Sequence, residues 1–223
     1  PNKLYCITDG GLYRSNDFGE TYYSCNGGYV TSQFYASFSN SMQDSIFCLG
    51  GLQDNRSAFY QGTTAWYKTF VGDGFTCAIN SQNDNICYTE YSYGDIYRSG
   101  NRGVSWSNIG PPGAGNASNY CFAAPFISTR ANPNILYVGG TNLYKSTTGS
   151  GSWVSVGILG AKALSMDASA TSSDTVYIGT IPVINSQDAK IYKLTGNTLT
   201  DVSNGQIPNR YPTDIHVNPN NSM

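Results

Sequence analysis

Four carboxylates stand in short polar segments between apolar runs: Asp9 in Thr8–Gly11, Asp54 in Gly50–Ser57, Asp73 in Val71–Gly74 and Glu90 in Thr89–Asp95. Two carboxyl groups facing each other about 5–10 Å apart are the apparatus of glycoside cleavage, one as acid and one as base or nucleophile. These four are therefore the catalytic candidates. The competing reading is that each caps its own turn, because Asp beside Gly or Asn is ordinary turn chemistry. Tyr29, Asn55, Tyr91 and Tyr93 fall in or near the same kind of segment, as does Trp66. Flat amphipathic rings stack on sugars or anchor a protein partner, so Tyr29, Asn55, Tyr91 and Tyr93 form the candidate ligand-binding set.

Metal and cofactor chemistry lacks a footing. His216 is the single histidine, and Cys6, Cys25, Cys48, Cys77, Cys87 and Cys121 show no CxxC spacing. No zinc site and no cofactor are expected. Cys6 and Cys48 sit in the apolar runs Leu4–Thr8 and Ile46–Gly50 and read as buried free thiols, while the other four could pair.

The elements that must hold these residues are short. The chain has 223 residues with 25 glycines and 18 tyrosines, and only 12% of it is charged, which suits strands and turns. Net charge is -2 with no block of Lys or Arg, so the electrostatic footprint of a nucleic-acid binder is missing. No apolar stretch approaches the ~20 residues of a membrane span, and the opening residues have neither the basic start nor the apolar core of a signal peptide.

A repeat organises the chain. Gly11–Tyr22 (GLYRSNDFGETY) returns as Asp95–Trp106 (DIYRSGNRGVSW) and Asn142–Trp153 (NLYKSTTGSGSW), and in eroded form as Lys190–Asp201. The step from Ile96 to Leu143 nearly equals that from Leu143 to Ile191, and the step from Leu12 to Ile96 is close to twice as long. A degenerate copy is expected inside it, and Ala58–Lys68 fits. Two further short runs precede each copy, so each unit offers four strands in about 40–50 residues, the size of a propeller blade. The expected units are 1–40, 41–81, 82–130, 131–170 and 171–223 in one all-β propeller domain covering 1–223.

The repeat resembles the Asp-box or BNR motif, Ser-x-Asp-x-Gly-x-Thr-Trp. Ser15, Asp17, Gly19, Thr21 and Tyr22 match in one copy, and Ser99, Asn101, Gly103, Ser105 and Trp106 in another; Ser146, Ser152 and Trp153 survive in a third. Turn chemistry alone accounts for each of these residues, so the boxes are expected to be structural hairpins on the face away from the candidate loops. The flanking text is similar to large secreted propellers of Bacteroidota, some carrying a sorting domain for type IX secretion, with sialidases, xyloglucanases and sortilin as wider relatives.

That resemblance implies a secreted or cell-surface module recognising a glycan or an extracellular protein. Its alternatives are a glycoside hydrolase of xyloglucanase or sialidase type and an architectural segment of a large secreted protein. The arginines Arg14, Arg56, Arg98, Arg102, Arg130 and Arg210 lack the Arg-Ile-Pro motif of sialidases, and Thr8–Gly11 lacks one residue of the Thr-Asp-x-Gly-Gly run near a xyloglucanase aspartate. Relatives of this kind build six to eight blades, so further blades of the same polypeptide or a partner chain are expected beside the five visible units.

Overall fold

Gly, Asn and Asp interrupt the apolar runs every few residues, too often for a helix to propagate, while the Val, Ile, Tyr and Cys between them fit a pleated surface. The computed structural model describes residues 3–8, 10–28, 33–70, 72–181, 188–205, 208 and 210–220, and contains strands but no helix among them. The chain falls into two compact units, Pro1–Gln33 and Phe34–Met223.

The first unit is a three-stranded antiparallel sheet of β1 (Leu4–Thr8), β2 (Gly11–Ser15) and β3 (Tyr23–Ser24). Leu4 stands opposite Ser15 and Thr8 opposite Gly11. Tyr5 is 62% and Ile7 84% exposed, so this sheet buries little apolar surface.

The second unit holds four antiparallel meanders in chain order. The first is β4 (Phe34–Asn40), β5 (Phe47–Leu52), β6 (Arg56–Gln61) and β7 (Tyr67–Lys68); the second is β8 (Cys77–Ile79), β9 (Cys87–Glu90), β10 (Ile96–Ser99) and β11 (Ser107–Asn108). The third is β12 (Phe126–Ser128), β13 (Leu136–Gly139), β14 (Asn142–Ser146) and β15 (Trp153–Ile158); the fourth is β16 (Ala163–Ala168), β17 (Thr175–Thr180), β18 (Ile191–Thr195) and β19 (Thr198–Asp201). Their leading strands β4, β8, β12 and β16 lie beside one another in that order. Every residue of β5, β9 and β13 is buried, because each of these strands is covered on both faces.

Apolar residues from successive sheets interdigitate in three clusters. Phe47 and Leu49 meet Cys77, Ile79 and Cys87; Tyr88 and Ile96 meet Phe126, Leu136 and Val138; Tyr137 and Leu143 meet Met166, Val176 and Ile178. No disulfide joins cysteines among the described residues, so the pairing left open for four of them is not seen there. Burial pushes the Cys77 and Cys87 thiols up to about 12, which makes them small hydrophobes.

The sheets differ in phase from the sequence units. The run Gln33–Ser39, placed in unit 1–40, pairs with β5, so each sheet begins one strand earlier than the unit expected from the repeat. A period read from sequence has no marked origin; interstrand hydrogen bonds supply one.

Candidate functional site

The repeated hairpins are self-contained. Ser15 Oγ accepts the backbone N–H groups of Asp17 (3.2 Å) and Gly19 (2.8 Å) and donates to Asp17 Oδ1 (2.7 Å). Asp17 in turn accepts Thr21 N–H at 3.0 Å and the Thr21 hydroxyl. The Thr21 bonds, with that of Ser15, hold the Asp17 carboxyl down at about 2. Ser99, Asn101, Gly103 and Ser105 repeat the pattern, with Ser105 N–H donating to Asn101 Oδ1 at 2.9 Å. In the third copy Ser146 donates to Ser150 O, and the Thr148 and Ser150 hydroxyls meet at 2.8 Å.

In the larger unit the Ser99–Trp106 and Ser146–Trp153 hairpins lie at the ends of their own sheets opposite to the β9–β10 and β13–β14 turns. Their closing tryptophans wedge into the preceding sheet: Trp106 Nε1 donates to Thr69 Oγ1 (3.0 Å) beside Phe70, and Trp153 Nε1 donates to Ile109 O.

At the other end, three loops converge. The β5–β6 turn places Asp54 and Arg56 at φ of 61° and 73°, unusual for non-glycine residues. Asp54 N–H donates to Asp73 Oδ1 at 2.8 Å, which ties this turn to the β7–β8 connection. Gly72 has φ of 74°, and a Cβ there would overlap the Tyr91 ring, so only glycine lets the ring approach. Tyr91 begins the β9–β10 turn and is 39% exposed, edge-on to Phe70 at 6.5 Å. Asp54, Arg56, Gly72, Asp73 and Tyr91 line a cavity of about 360 Å³ open to solvent. Such a site offers a phenol ring, two carboxylates and a guanidinium to a polar ligand.

Glu90 does not belong to it, which corrects the expectation of a fourth carboxylate on this rim. It is the last residue of β9 and fully buried. Its Oε1 accepts the N–H groups of Ala124 (2.7 Å) and Gly94 (3.0 Å), while Oε2 is buried without a hydrogen-bond partner among the described residues. Burial pushes the carboxyl up to about 8, only partly offset by the bonds from Ala124 and Gly94. Tyr93 is half-buried, its ring packs edge-on against Phe122 at 5.3 Å, and it does not line the cavity. Asn55 is exposed, bonds Gln53 O at 3.4 Å and does not line the cavity. Asp9 and Tyr29 lie outside the described residues.

Two members of the site, Arg56 and Gly72, were not picked from the sequence. Both stand within two residues of picked ones, so the same loop reading could have reached them. A second cavity, of about 610 Å³, runs along the leading strands and is lined by Tyr35, Thr76, Ser165, Met166, Asp214 and His216 among others. Among the described residues no group of three or more His, Cys, Asp or Glu is placed to hold a metal ion.

No family model matches the sequence, and no curated protein matches it. Solved structures do. An ancestral GH74 enzyme aligns over 100% of the chain with a TM-score of 0.66 and 18% identity. The fold is a β-propeller. A GH74 xyloglucanase from Xanthomonas campestris aligns over 99% of the propeller chain with a TM-score of 0.65 and 12% identity, and YCF48 bound to a D1 peptide over 89% with 0.51 and 10%. The propeller chain spans 32% of the ancestral enzyme and 41% of the xyloglucanase. Within it, the Asp54–Tyr91 cavity joins the second-to-third-strand turns of two adjacent sheets through the connection between them.

Proposed function

We propose that this chain is an extracellular Asp-box propeller module that recognises a glycan at the cavity of Asp54, Arg56, Asp73 and Tyr91. The observation that carries this reading is the convergence of three loops on one open cavity holding a partly exposed phenol ring beside charged hydrogen-bonding groups. Sugar recognition uses that pair of features, a ring face for the C–H surface and charged groups bonding adjacent hydroxyls. The likeness to enzymes named for GH74 and xyloglucan supports starting with a β-glucan. Calorimetric titration with xyloglucan oligosaccharides and a panel of other glycans tests it. Binding by the wild type should weaken at least tenfold in Tyr91→Ala and in Asp73→Asn. Failure of every glycan to bind the folded chain, or binding indifferent to both substitutions, overturns the proposal.

A hydrolase is the second reading, favoured by the presence of two carboxylates, those of Asp54 and Asp73, in the lining of one cavity. Asp73 Oδ1, however, already holds a backbone N–H, the work of a turn cap. Binding without release of reducing ends is therefore expected; turnover abolished by Asp73→Asn would reverse the ranking.

A further inference from the structure

Each sheet of the larger unit is joined to the next at one recurring place near the end of its second strand. A Cβ on Gly51 would overlap the Phe75 carbonyl, and a Cβ on Gly139 would stand 2.5 Å from that of Ala163. Glu90 occupies the matching place in β9 and takes Ala124 N–H instead. Phe75 and Ala124 each stand two residues before the leading strands β8 and β12, and Ala163 opens β16. Gly179 of β17 repeats the arrangement: its Cβ would stand 2.7 Å from Pro212. Pro212 therefore stands where a leading strand begins.

Side-chain bonds between neighbouring leading strands point the same way. Ser39 of β4 accepts Ile79 N–H of β8 (3.0 Å), and Thr76, just before β8, donates to Ala124 O (3.1 Å). Correspondingly, Asp167 of β16 accepts Val217 N–H (2.8 Å), and Ser165 of β16 donates to Pro212 O (2.5 Å). The turn that follows is repeated too. Asn134 N–H donates to Asn132 Oδ1 (3.2 Å) in Asn132-Pro133-Asn134, as Asn220 N–H does to Asn218 Oδ1 (2.9 Å) in Asn218-Pro219-Asn220.

One feature differs. β4, β8, β12 and β16 are each paired by a second strand, whereas Thr213–His216 make no backbone hydrogen bond among the described residues, and Thr213, Asp214 and His216 are exposed. We propose that Pro212–Val217 is the leading strand of a further sheet and that its free edge docks an antiparallel β-strand of the Ile-Leu-Tyr-Val-Gly type found in β13. Free edges take up strands through main-chain bonds, and side-chain pattern sets which strand fits. Here three of the four internal examples, β5, β13 and β17, define the pattern: a short apolar run carrying near its end a glycine that lets the neighbouring chain close in, where β9 has Glu90 instead.

The test is amide hydrogen exchange of the full chain, read by NMR, with and without a synthetic peptide copying residues 134–146. Exchange at Thr213–His216 should slow at least tenfold with the peptide and remain unchanged with the same peptide carrying Val138→Pro. It should also remain unchanged by the peptide in the chain variant Ile215→Pro, whose strand edge has lost a donor. Unchanged exchange in the wild type overturns the proposal. So does protection that appears without peptide and rises with chain concentration, since the occupant would then be a second copy.

Discussion

Two carboxylates show how placement sets the sign of a pH effect. Glu90 binds its proton more tightly folded, at about 8, than the ordinary 4.5, chiefly because it is buried. Between those values the native state holds a proton that the unfolded chain has lost, so stability is greatest below pH 4.5, falls as pH rises, and levels off above about 8. Glu90→Gln, unable to ionise, should flatten that slope in urea midpoints measured from pH 5 to 9; an unaltered slope refutes the assignment. Asp17 behaves in the opposite sense. Its carboxyl is held at about 2 by Thr21 and Ser15, so its contribution is present above the ordinary 3.8 and lost as pH falls towards 2. Asp17→Asn should keep the hairpin, as Asn101 does in its own copy, while Thr21 amide exchange loses its acid dependence.

At the scale of the element, the hairpins draw their stability from polar closure and the wedge behind it. Ser99 is fully buried and accepts two backbone N–H groups, from Asn101 and Gly103. Ser99→Ala strands both donors and should cost about 1–3 kcal/mol in chemical denaturation. Trp106→Ala removes the ring between two sheets and its bond to Thr69, for a loss of about 2–4 kcal/mol. An effect below about 0.5 kcal/mol in either variant would mean that these hairpins do not hold the sheets, since surface changes are of that size.

For the whole molecule, burial should sort both exchange and thiol reactivity. Strands β9 and β13 are buried throughout, whereas β1 exposes Tyr5 and Ile7. Amides of β9 and β13 should therefore be the slowest to exchange and those of Leu4–Ser24 among the fastest. In the native protein Cys25, which is exposed, should react with an aromatic disulfide reagent, while Cys77 and Cys87 stay silent until denaturant is added. Fast labelling of Cys77 would show that the contact of the first two meanders opens readily.

Much of this architecture was written in local chemistry. The equal spacing of Leu12–Tyr22, Ile96–Trp106 and Leu143–Trp153 disclosed the hairpins, because a Ser-x-Asp-x-Gly turn closes on its own backbone and needs no distant partner. That Asp54, Asp73 and Tyr91 stand in short polar segments between strands was legible for the same reason; that they line one cavity was not. What sequence could not decide was anything that depends on how closely one sheet approaches the next. Glu90 reads as a loop carboxylate until the neighbouring sheet brings Ala124 N–H within 2.7 Å and seals it from water. Tyr93 reads as an open loop ring until Phe122 packs edge-on against it. The origin of the repeat was likewise settled by tertiary structure alone: hydrogen bonds between β4 and β5 assign Phe34–Asn40 to the sheet that follows, a choice that a periodic string of residues leaves equally open.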